Sequence, residues 1–283
     1  MTDSSSGRPD YHAPADGGWG QDILRALAQL TRLPVGAATV PEVQARLPVE
    51  VRLRSLRAWP VAGGIVGFLA GLALLTAEIL GFIGVGSALV GLAVLAWLVR
   101  AEPDIALARF VHARTTGHDD TSRRAAMGET VGPAGLLALF FVVGLKLAAL
   151  ATLPAPIGLL ALVAAVAAGR AAMAVAAARL RPLPDDAPTD TSSLAPSLAG
   201  AALAAGYARP GREVIATAVI LGGAIVLLML GPLSGVLALA AAALIAWLAM
   251  AAARNAVGGY TDLVLATIAG LVEAAVLVSA AIV

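Results

Sequence analysis

The chain has 283 residues, of which 59% are hydrophobic and only 13% are charged. Soluble globular domains carry roughly 25% charged residues, so this composition excludes an ordinary soluble domain and predicts an all-α, polytopic integral membrane protein. The sequence contains no Cys, which excludes disulfides, thiol nucleophiles and thiolate metal sites. The net charge of +1 singles out no partner, and we expect no nucleic acid among the ligands.

The N-terminal region precedes the membrane domain and divides into two parts. Residues 1–20 are rich in Ser, Gly, Pro and Asp, which predicts a disordered segment, and no apolar stretch follows a basic start as it would in a signal peptide. Residues 21–58 are predicted to lie at the cytoplasmic membrane surface. Within them, residues 22–33 place apolar side chains on one side at helical period and are too few to cross a bilayer. That pattern predicts an interfacial amphipathic helix.

Residues 59–283 form the predicted transmembrane domain, a bundle of about seven helices, each near the ~20 residues that cross the hydrocarbon. The predicted spans are 59–80, 82–99, 133–153, 157–178, 214–230, 233–252 and 262–283. Gly63, Gly67 and Gly71 recur at every fourth position, which lets a neighbouring helix approach closely. Residues 194–207 are apolar but few, which favours a re-entrant or interfacial helix. A count of six spans remains open if one pair is re-entrant.

The positions of the arginines predict the orientation. The N-terminal region, the loops 100–132 and 179–213 and the turn at Arg254 carry Arg, whereas the turns after the first, third and fifth spans carry neither Lys nor Arg. The positive-inside rule then puts the N-terminus and the long loops in the cytoplasm and the three tight turns outside. The expected location is the inner membrane of a bacterium.

Four charged residues fall inside the predicted spans: Glu78, Lys146, Arg170 and Glu273. A charge at the centre of a span costs about 2.5–3.5 kcal/mol on insertion scales, so it is expected to pair or to line a cavity. Glu78 is close to a helix end and can reach the interface. Lys146, the single Lys of the chain, either extends to the interface or pairs with Glu273, and Arg170 suits an ion pair or a phosphate contact. The simpler alternative is that these residues only hold the helices together.

The polar segment 100–132 is the candidate working face, because a long charged stretch in so apolar a chain is typical of a functional loop. Carboxylates are hard oxygen ligands that suit a divalent metal bound together with phosphate. The candidate metal ligands are Glu102, Asp104, Asp119 and Asp120. The first two of these are also the candidate catalytic residues. The adjacent Arg123 and Arg124 are candidates for contact with phosphate oxygens, and a solvated charged surface without a ligand is the alternative.

Several segments resemble one family, the cobalamin synthases or adenosylcobinamide-GDP ribazoletransferases, from residue 27 onward. The similar segments are LTRLPVG (30–36), RSLRAWPVAGGIVGFLAGL (54–72), GETVGPAGLLALFFVVGLKLAAL (128–150), GRAAM (169–173) and GGYTDLVLATIAGLVE (258–273). After the second span the family has His-x-Asp-Gly followed by Asp-x-x-Asp-Gly, where this chain reads AEPDIALARFVH (101–112). Asp104 matches the first Asp, and Glu102 stands where the His is expected.

The resemblance implies a transferase of cobalamin biosynthesis. Members of the family join adenosylcobinamide-GDP to α-ribazole, or to its 5′-phosphate, and release GMP, so the implied cofactor is Mg²⁺ and the implied setting is the lipid bilayer, with other corrinoid-pathway enzymes as further candidate partners. The candidate substrate-binding residues are Arg123, Arg124, Lys146, Arg170, Gly258, Gly259, Asp262 and Glu273. Two alternatives stay open: a catalytically impaired homologue that scaffolds corrinoid-pathway enzymes, and a small-molecule transporter with Lys146, Arg170 and Glu273 along its path.

Overall fold

The computed structural model describes residues 18–35, 47–116, 118–127, 131–183 and 198–282. These residues form helices and connections, with one isolated bridge between Pro182 and Tyr260 and no strand among them. The helices are α1 (Trp19–Leu30), α2 (Val49–Ser55), α3 (Trp59–Ile79), α4 (Val85–Leu98), α5 (Glu102–Thr116), α6 (Asp120–Met127), α7 (Pro133–Thr152), α8 (Ala155–Arg179), α9 (Leu198–Ala204), α10 (Arg212–Leu230), α11 (Pro232–Val257) and α12 (Asp262–Ile282).

The number of spans agrees with the sequence. Among the described residues, six helices are long and apolar enough to cross a membrane, and the bent pair α4–α5 brings the number to seven if it is taken as one span. The first of the six is continuous from α2 through a 3₁₀ turn (Leu56–Ala58) into α3. The predicted all-α membrane bundle of about seven helices is therefore confirmed.

Helix α8 is the centre of the bundle. It is rich in Ala, is buried along most of its length, and packs most extensively against α3, then against α12 and α10. The three glycines predicted to admit a close neighbour all face α8. A Cβ atom added to Gly67 would lie 2.5 Å from the carbonyl oxygen of Leu162, so only a residue without a side chain fits there. The predicted glycine stripe is thus confirmed.

The second predicted span and the loop after it differ from the structure. Helix α4 has 14 residues, which at 1.5 Å per residue gives about 21 Å, less than the ~30 Å of a hydrocarbon core. The chain then bends by 83° into α5 through Arg100 and Ala101, both with positive φ. Segment 100–132 was predicted as a loop, but α5 and α6 occupy most of it. The reason is that Ala106, Leu107 and Phe110 give α5 a buried apolar face, which packs on α7 and α12.

Several predicted boundaries also shift. Helix α1 begins at Trp19, inside the segment predicted to be disordered, and residues 1–17 lie outside the described part of the chain. Helix α11 continues to Val257, five residues past the predicted end, and stops at Gly258, whose φ of 82° ends it in the left-handed conformation. Helix α9 lies within the segment 194–207, for which a short helix was predicted.

Two of the tight turns, those after α3 and α7, lie at the same end of the bundle. A Cβ atom added to Gly84, between α3 and α4, would lie 3.7 Å from the carbonyl oxygen of Ala151 near the end of α7. At the other end, the N–H of Arg32 donates to the carbonyl oxygen of Leu98 at 2.9 Å, which brings the end of α4 to the N-terminal segment. Helix α4 therefore runs from one end of the bundle towards the other. The end that carries the arginines is called here the arginine end.

Candidate functional site

Four charged side chains meet in the interior of the bundle and form a buried charge cluster. The Lys146 ammonium nitrogen lies 3.0 Å from Glu273 Oε2 and 3.7 Å from Asp104 Oδ1. Arg170 Nη2 lies 4.0 Å from Glu273 Oε1. Two acids and two bases leave the cluster with no net formal charge, which is how buried charges are tolerated in an apolar interior. The predicted pair of Lys146 with Glu273 is confirmed.

The cluster joins four helices because small residues let those helices come close. Asp104 belongs to α5, Lys146 to α7, Arg170 to α8 and Glu273 to α12. A Cβ atom on Gly270 of α12 would lie 3.1 Å from the ring of Pro103, and one on Gly169 of α8 would lie 3.0 Å from the carbonyl oxygen of Ala269. The start of α5 is thereby held against α12, deep enough for Asp104 to reach Lys146.

A polar cavity of about 70 Å³ lies next to the cluster, towards the arginine end. Its lining comes from the N-terminal segment and from the starts of α5 and α12. The lining residues are Gln29, Leu30, Arg52, Trp59, Glu102, Met173, Leu198, Asp262, Leu265 and Ala266. The sulfur of Met173 accepts a hydrogen bond from Arg170 Nη1 at 3.1 Å, so one residue connects the cavity with the cluster.

The polar cavity carries cationic and neutral donors opposite carboxylates. Arg52 is only 4% exposed and interacts electrostatically with Asp262. The indole nitrogen of Trp59 is buried and has no hydrogen-bond partner among the described residues. Such a buried donor without a partner is costly unless a ligand or water satisfies it. The polar cavity is therefore a candidate site for a polar group of a ligand.

Glu102 is held at the rim of the polar cavity by its neighbours. Its Oε1 accepts a hydrogen bond from Arg100 Nε at 3.0 Å, and Arg100 Nη2 donates to the carbonyl oxygen of Gln29 at 3.1 Å. The side chain of Glu102 is 44% exposed. It therefore remains accessible to a ligand, unlike Asp104, which faces Lys146.

The turn from Gly258 to Asp262 closes the arginine end of α12. The N–H of Tyr260 donates to the carbonyl oxygen of Arg181 at 2.8 Å, and the N–H of Leu183 donates to the carbonyl oxygen of Tyr260 at 2.9 Å. Gly259 is in close contact with the Arg181 carbonyl, where a Cβ atom would clash. Gly259, predicted to bind substrate, thus packs against the chain after α8, whereas Gly258, predicted for the same role, ends α11. Burial raises the pKa of the Tyr260 phenol above its usual value, so the phenol stays neutral.

Asp262 has a defined position in this turn. Its two carboxylate oxygens accept the N–H groups of Leu198 and Ala199 at 2.9 and 3.0 Å, at the start of α9. The same carboxylate borders the polar cavity. A single side chain therefore fixes α9 over the cavity.

A second centre of charge, which the sequence patterns did not reveal, holds the N-terminal helix. Asp22 is fully buried, with Arg57 Nη2 at 2.6 Å, Arg25 Nη1 at 3.4 Å and Arg54 Nε at 3.5 Å. The Arg57 guanidinium also lies 4.4 Å from the ring centroid of Trp19. The i, i+3 spacing of Asp22 and Arg25 was visible in the sequence, but the partners from α2 and the following turn were not.

The remaining predicted site residues lie on α6 or, for Asp119, immediately before it, and none lines the polar cavity. Asp119 accepts the N–H of Ser122 at 2.7 Å, and hydrogen bonds from the Ser122 hydroxyl and N–H lower the pKa of its exposed carboxyl group. Arg123 donates to the carbonyl oxygens of Asn255 and Ala256 near the end of α11, at 3.5 and 3.4 Å. The side chains of Asp120 and Arg124 lie outside what the structure describes.

The predicted ligands of Mg²⁺ do not come together in the described residues. Glu102 pairs with Arg100, Asp104 faces Lys146, and Asp119 caps α6. Where side chains are described, no three His, Asp or Glu residues are grouped as a metal ion would require. This donor set does not fit the predicted metal centre, and the Mg²⁺ ion stays a prediction.

The fold and the site define a polytopic helical membrane protein with a polar cavity beside a neutral cluster of buried charges. The sequence profile of the cobalamin-5-phosphate synthase family matches residues 22–281, so the match includes both the cavity and the cluster. The chain belongs to that family.

Curated relatives agree over a shorter stretch. The adenosylcobinamide-GDP ribazoletransferases of Brucella ovis, Brucella canis and Brucella melitensis are each 38% identical to the chain over 80 residues. That alignment covers 28% of this chain and 29% of each relative. No solved structure matches the chain.

Proposed function

We propose that the protein is an adenosylcobinamide-GDP ribazoletransferase, which joins adenosylcobinamide-GDP to α-ribazole or to α-ribazole 5′-phosphate and releases GMP. The family match over residues 22–281 carries this proposal. Its setting is the inner membrane of a bacterium, with the arginine end in the cytoplasm, where the arginines satisfy the positive-inside rule.

The reaction transfers the phosphoryl group that carries the cobinamide. The same ribose hydroxyl of α-ribazole or of α-ribazole 5′-phosphate attacks that phosphorus, loses its proton, and forms a new P–O bond. The bond from that phosphorus to the oxygen that bridges it to the guanosine phosphate breaks, and GMP leaves with the bridging oxygen. Such transfers depend mainly on positioning and on neutralising the phosphate charge.

The polar cavity supplies groups that suit this chemistry. Arg52 is a buried cation that can hold phosphate oxygens, and the indole N–H of Trp59 is a donor without a partner among the described residues. Glu102 is the accessible carboxylate at the rim, and it takes the proton of the attacking ribose hydroxyl. Asp104 acts as a positioning residue in this proposal, because Lys146 holds its carboxylate.

Mg²⁺ is proposed on the family resemblance, and no step above passes through it. Mg²⁺ is commonly held by one or two carboxylates together with substrate phosphates. Glu102 and Asp262, which border the polar cavity, are the two carboxylates near which the diphosphate would bring such an ion.

The test is GMP release by the purified protein in lipid nanodiscs, with adenosylcobinamide-GDP, Mg²⁺ and either acceptor. Arg52→Gln removes a charged hydrogen-bond donor worth about 1.5–3 kcal/mol, so we expect kcat/KM to fall by roughly 10- to 150-fold. Arg212→Gln, at the exposed start of α10, is the matched control and should leave the rate unchanged.

Glu102→Gln tests the proton acceptor. The variant should be slow with both α-ribazole and its 5′-phosphate, because the same ribose hydroxyl must lose a proton in each reaction. A wild-type rate in Glu102→Gln would contradict the role of Glu102 as proton acceptor, and no GMP release by folded wild-type protein would reject the transferase.

One observation favours a second candidate, a catalytically impaired homologue that scaffolds corrinoid-pathway enzymes. In the polar segment 100–132, the carboxylates that the structure describes either form ion pairs or, for Asp119, cap α6. Glu102 also stands where the family pattern has His. This candidate predicts that the gene fails to complement a strain that lacks the synthase. Complementation by wild type and failure by Arg52→Gln would favour the transferase.

A further inference from the structure

A second cavity, which the proposed chemistry does not use, lies between α5, α7, α11 and α12. Its volume is about 420 Å³, within the range of roughly 300–1,000 Å³ that small-molecule sites occupy. Representative lining residues are Phe110, Arg114, Phe141, Ala249, Ile268 and Leu271. It is called here the apolar cavity.

The lining of the apolar cavity contains one charged residue, Arg114, one hydroxyl group, that of Thr267, and otherwise apolar side chains. The Thr267 hydroxyl already donates to the carbonyl oxygen of Leu263 at 2.9 Å. Arg114 is exposed, and no carboxylate of the described residues pairs with it. The cavity therefore suits a ligand with a long apolar part and one anionic group.

The position of the cavity narrows the choice of ligand. Three of its four walls, α7, α11 and α12, are candidate spans, and Phe141 and Leu248 of the lining are 63% and 47% exposed. Arg114 lies near the end of α5 that leaves the bundle, three residues before Gly117 in the polar segment. Basic pockets between spans on the cytoplasmic side bind anionic lipid headgroups.

We propose that the apolar cavity binds one anionic phospholipid, with an acyl chain between α7 and α11 and the phosphate at Arg114. A corrinoid nucleotide, with its several phosphates and amides, does not match this lining. The site is thus separate from the polar cavity and does not depend on the proposed function.

The test measures lipid that stays bound to the protein. The protein is reconstituted in vesicles of phosphatidylcholine and phosphatidylglycerol and extracted again in mild detergent. Native mass spectrometry then measures the mass of the protein together with any lipid that remains bound. We expect one retained phospholipid per chain, with phosphatidylglycerol preferred. Arg114→Gln should lower that preference roughly five-fold, since one arginine near the surface contributes about 1 kcal/mol to the binding of anionic lipid. Ala249→Phe fills the cavity and should lower the retention of both lipids.

Two control variants make the same kinds of substitution at positions outside the cavity. Arg212→Gln removes an exposed arginine from α10, and Ala240→Phe adds a ring to an exposed position of α11; neither should alter retention. If Ala249→Phe does not fold, as judged by thermal unfolding in the same detergent, Ala138→Leu fills the cavity from α7.

Three results would overturn the proposal. The first is an unchanged lipid preference in Arg114→Gln, and the second is wild-type retention in folded cavity-filling variants. The third is a lipid-free dimer that dissociates when the cavity is filled, because the occupant would then be a second copy of the chain.

Discussion

The side chain of Lys146 shows how a charge becomes acceptable inside this protein. It is 4% exposed and lies within 3.0 Å of one carboxylate and 3.7 Å of another. An ion pair of this kind contributes little net stability compared with a well-packed apolar pair, but removing one partner leaves the other charged and buried. The same logic applies to Asp22, which is enclosed by three arginines.

At this scale we predict that Lys146→Met destabilises the protein by about 3–5 kcal/mol, because Glu273 then loses its closest cation. The double variant Lys146→Met/Glu273→Gln should recover part of that loss, because it restores the charge balance but leaves Asp104 and Arg170 without their charged partners. Denaturant unfolding in detergent micelles measures both values, with Arg212→Gln as the unaffected control. Additive losses in the double variant would show that the two side chains do not depend on each other.

Contacts between helices depend on residues that have no side chain. Helix α3 meets α8 through Gly63, Gly67 and Gly71, where any Cβ atom would come within 2.8 Å of α8. Van der Waals packing of this sort is a main source of helix association in lipid, where the hydrophobic effect does not drive it. The bend between α4 and α5 is unfavourable by itself, because Arg100 and Ala101 have side chains and yet adopt left-handed conformations that cost roughly 1–2 kcal/mol each.

Two glycine substitutions test this packing at the scale of the helix. Gly67→Ala should lower the thermal unfolding temperature, because its new methyl group meets the backbone of α8 at Leu162. Gly223→Ala lies in α10 with nothing within 4 Å of the added atom, so it should be neutral or stabilising by up to about 1 kcal/mol. Equal effects of the two substitutions would mean that α3 and α8 are less tightly packed than the structure has them.

At the scale of the whole bundle, the sequence predicts those features of the fold that depend on hydrophobicity. The spans and the pairing of Lys146 with Glu273 follow from the high cost of polar groups in lipid, which leaves few solutions. The glycine stripe follows from the close approach of helices that small residues allow. The bend at Arg100 and Ala101 could not be predicted, because neither residue is Gly or Pro and tertiary packing of α5 sets its position. Arg52 was missed because an arginine in a basic segment before a span is typical of a membrane surface.

The topology of the whole molecule is open to direct labelling, since the chain has no Cys and any single cysteine is unique. Cysteines at Ile83 and Leu233, both exposed beside tight turns, should react with a membrane-impermeant maleimide in intact cells. Cysteines at Thr115 and Asn255, at the arginine end, should react only after the membrane is permeabilised. Labelling of Thr115→Cys in intact cells would mean that α4 and α5 together return to the outer side, where α4 begins.

The buried charge cluster has a consequence for biosynthesis. Lys146 leaves the ribosome long before Glu273, which belongs to the last helix of the described chain. During translation the ammonium group therefore enters the membrane without its closest counterion, and the cluster stays incomplete until α12 is inserted. A product cut short before α12 would keep Lys146 beside Asp104 but without Glu273, and it would expose the face of α8 that α12 covers. The arrival of α12 thus completes both the charge balance of the cluster and the burial of α8.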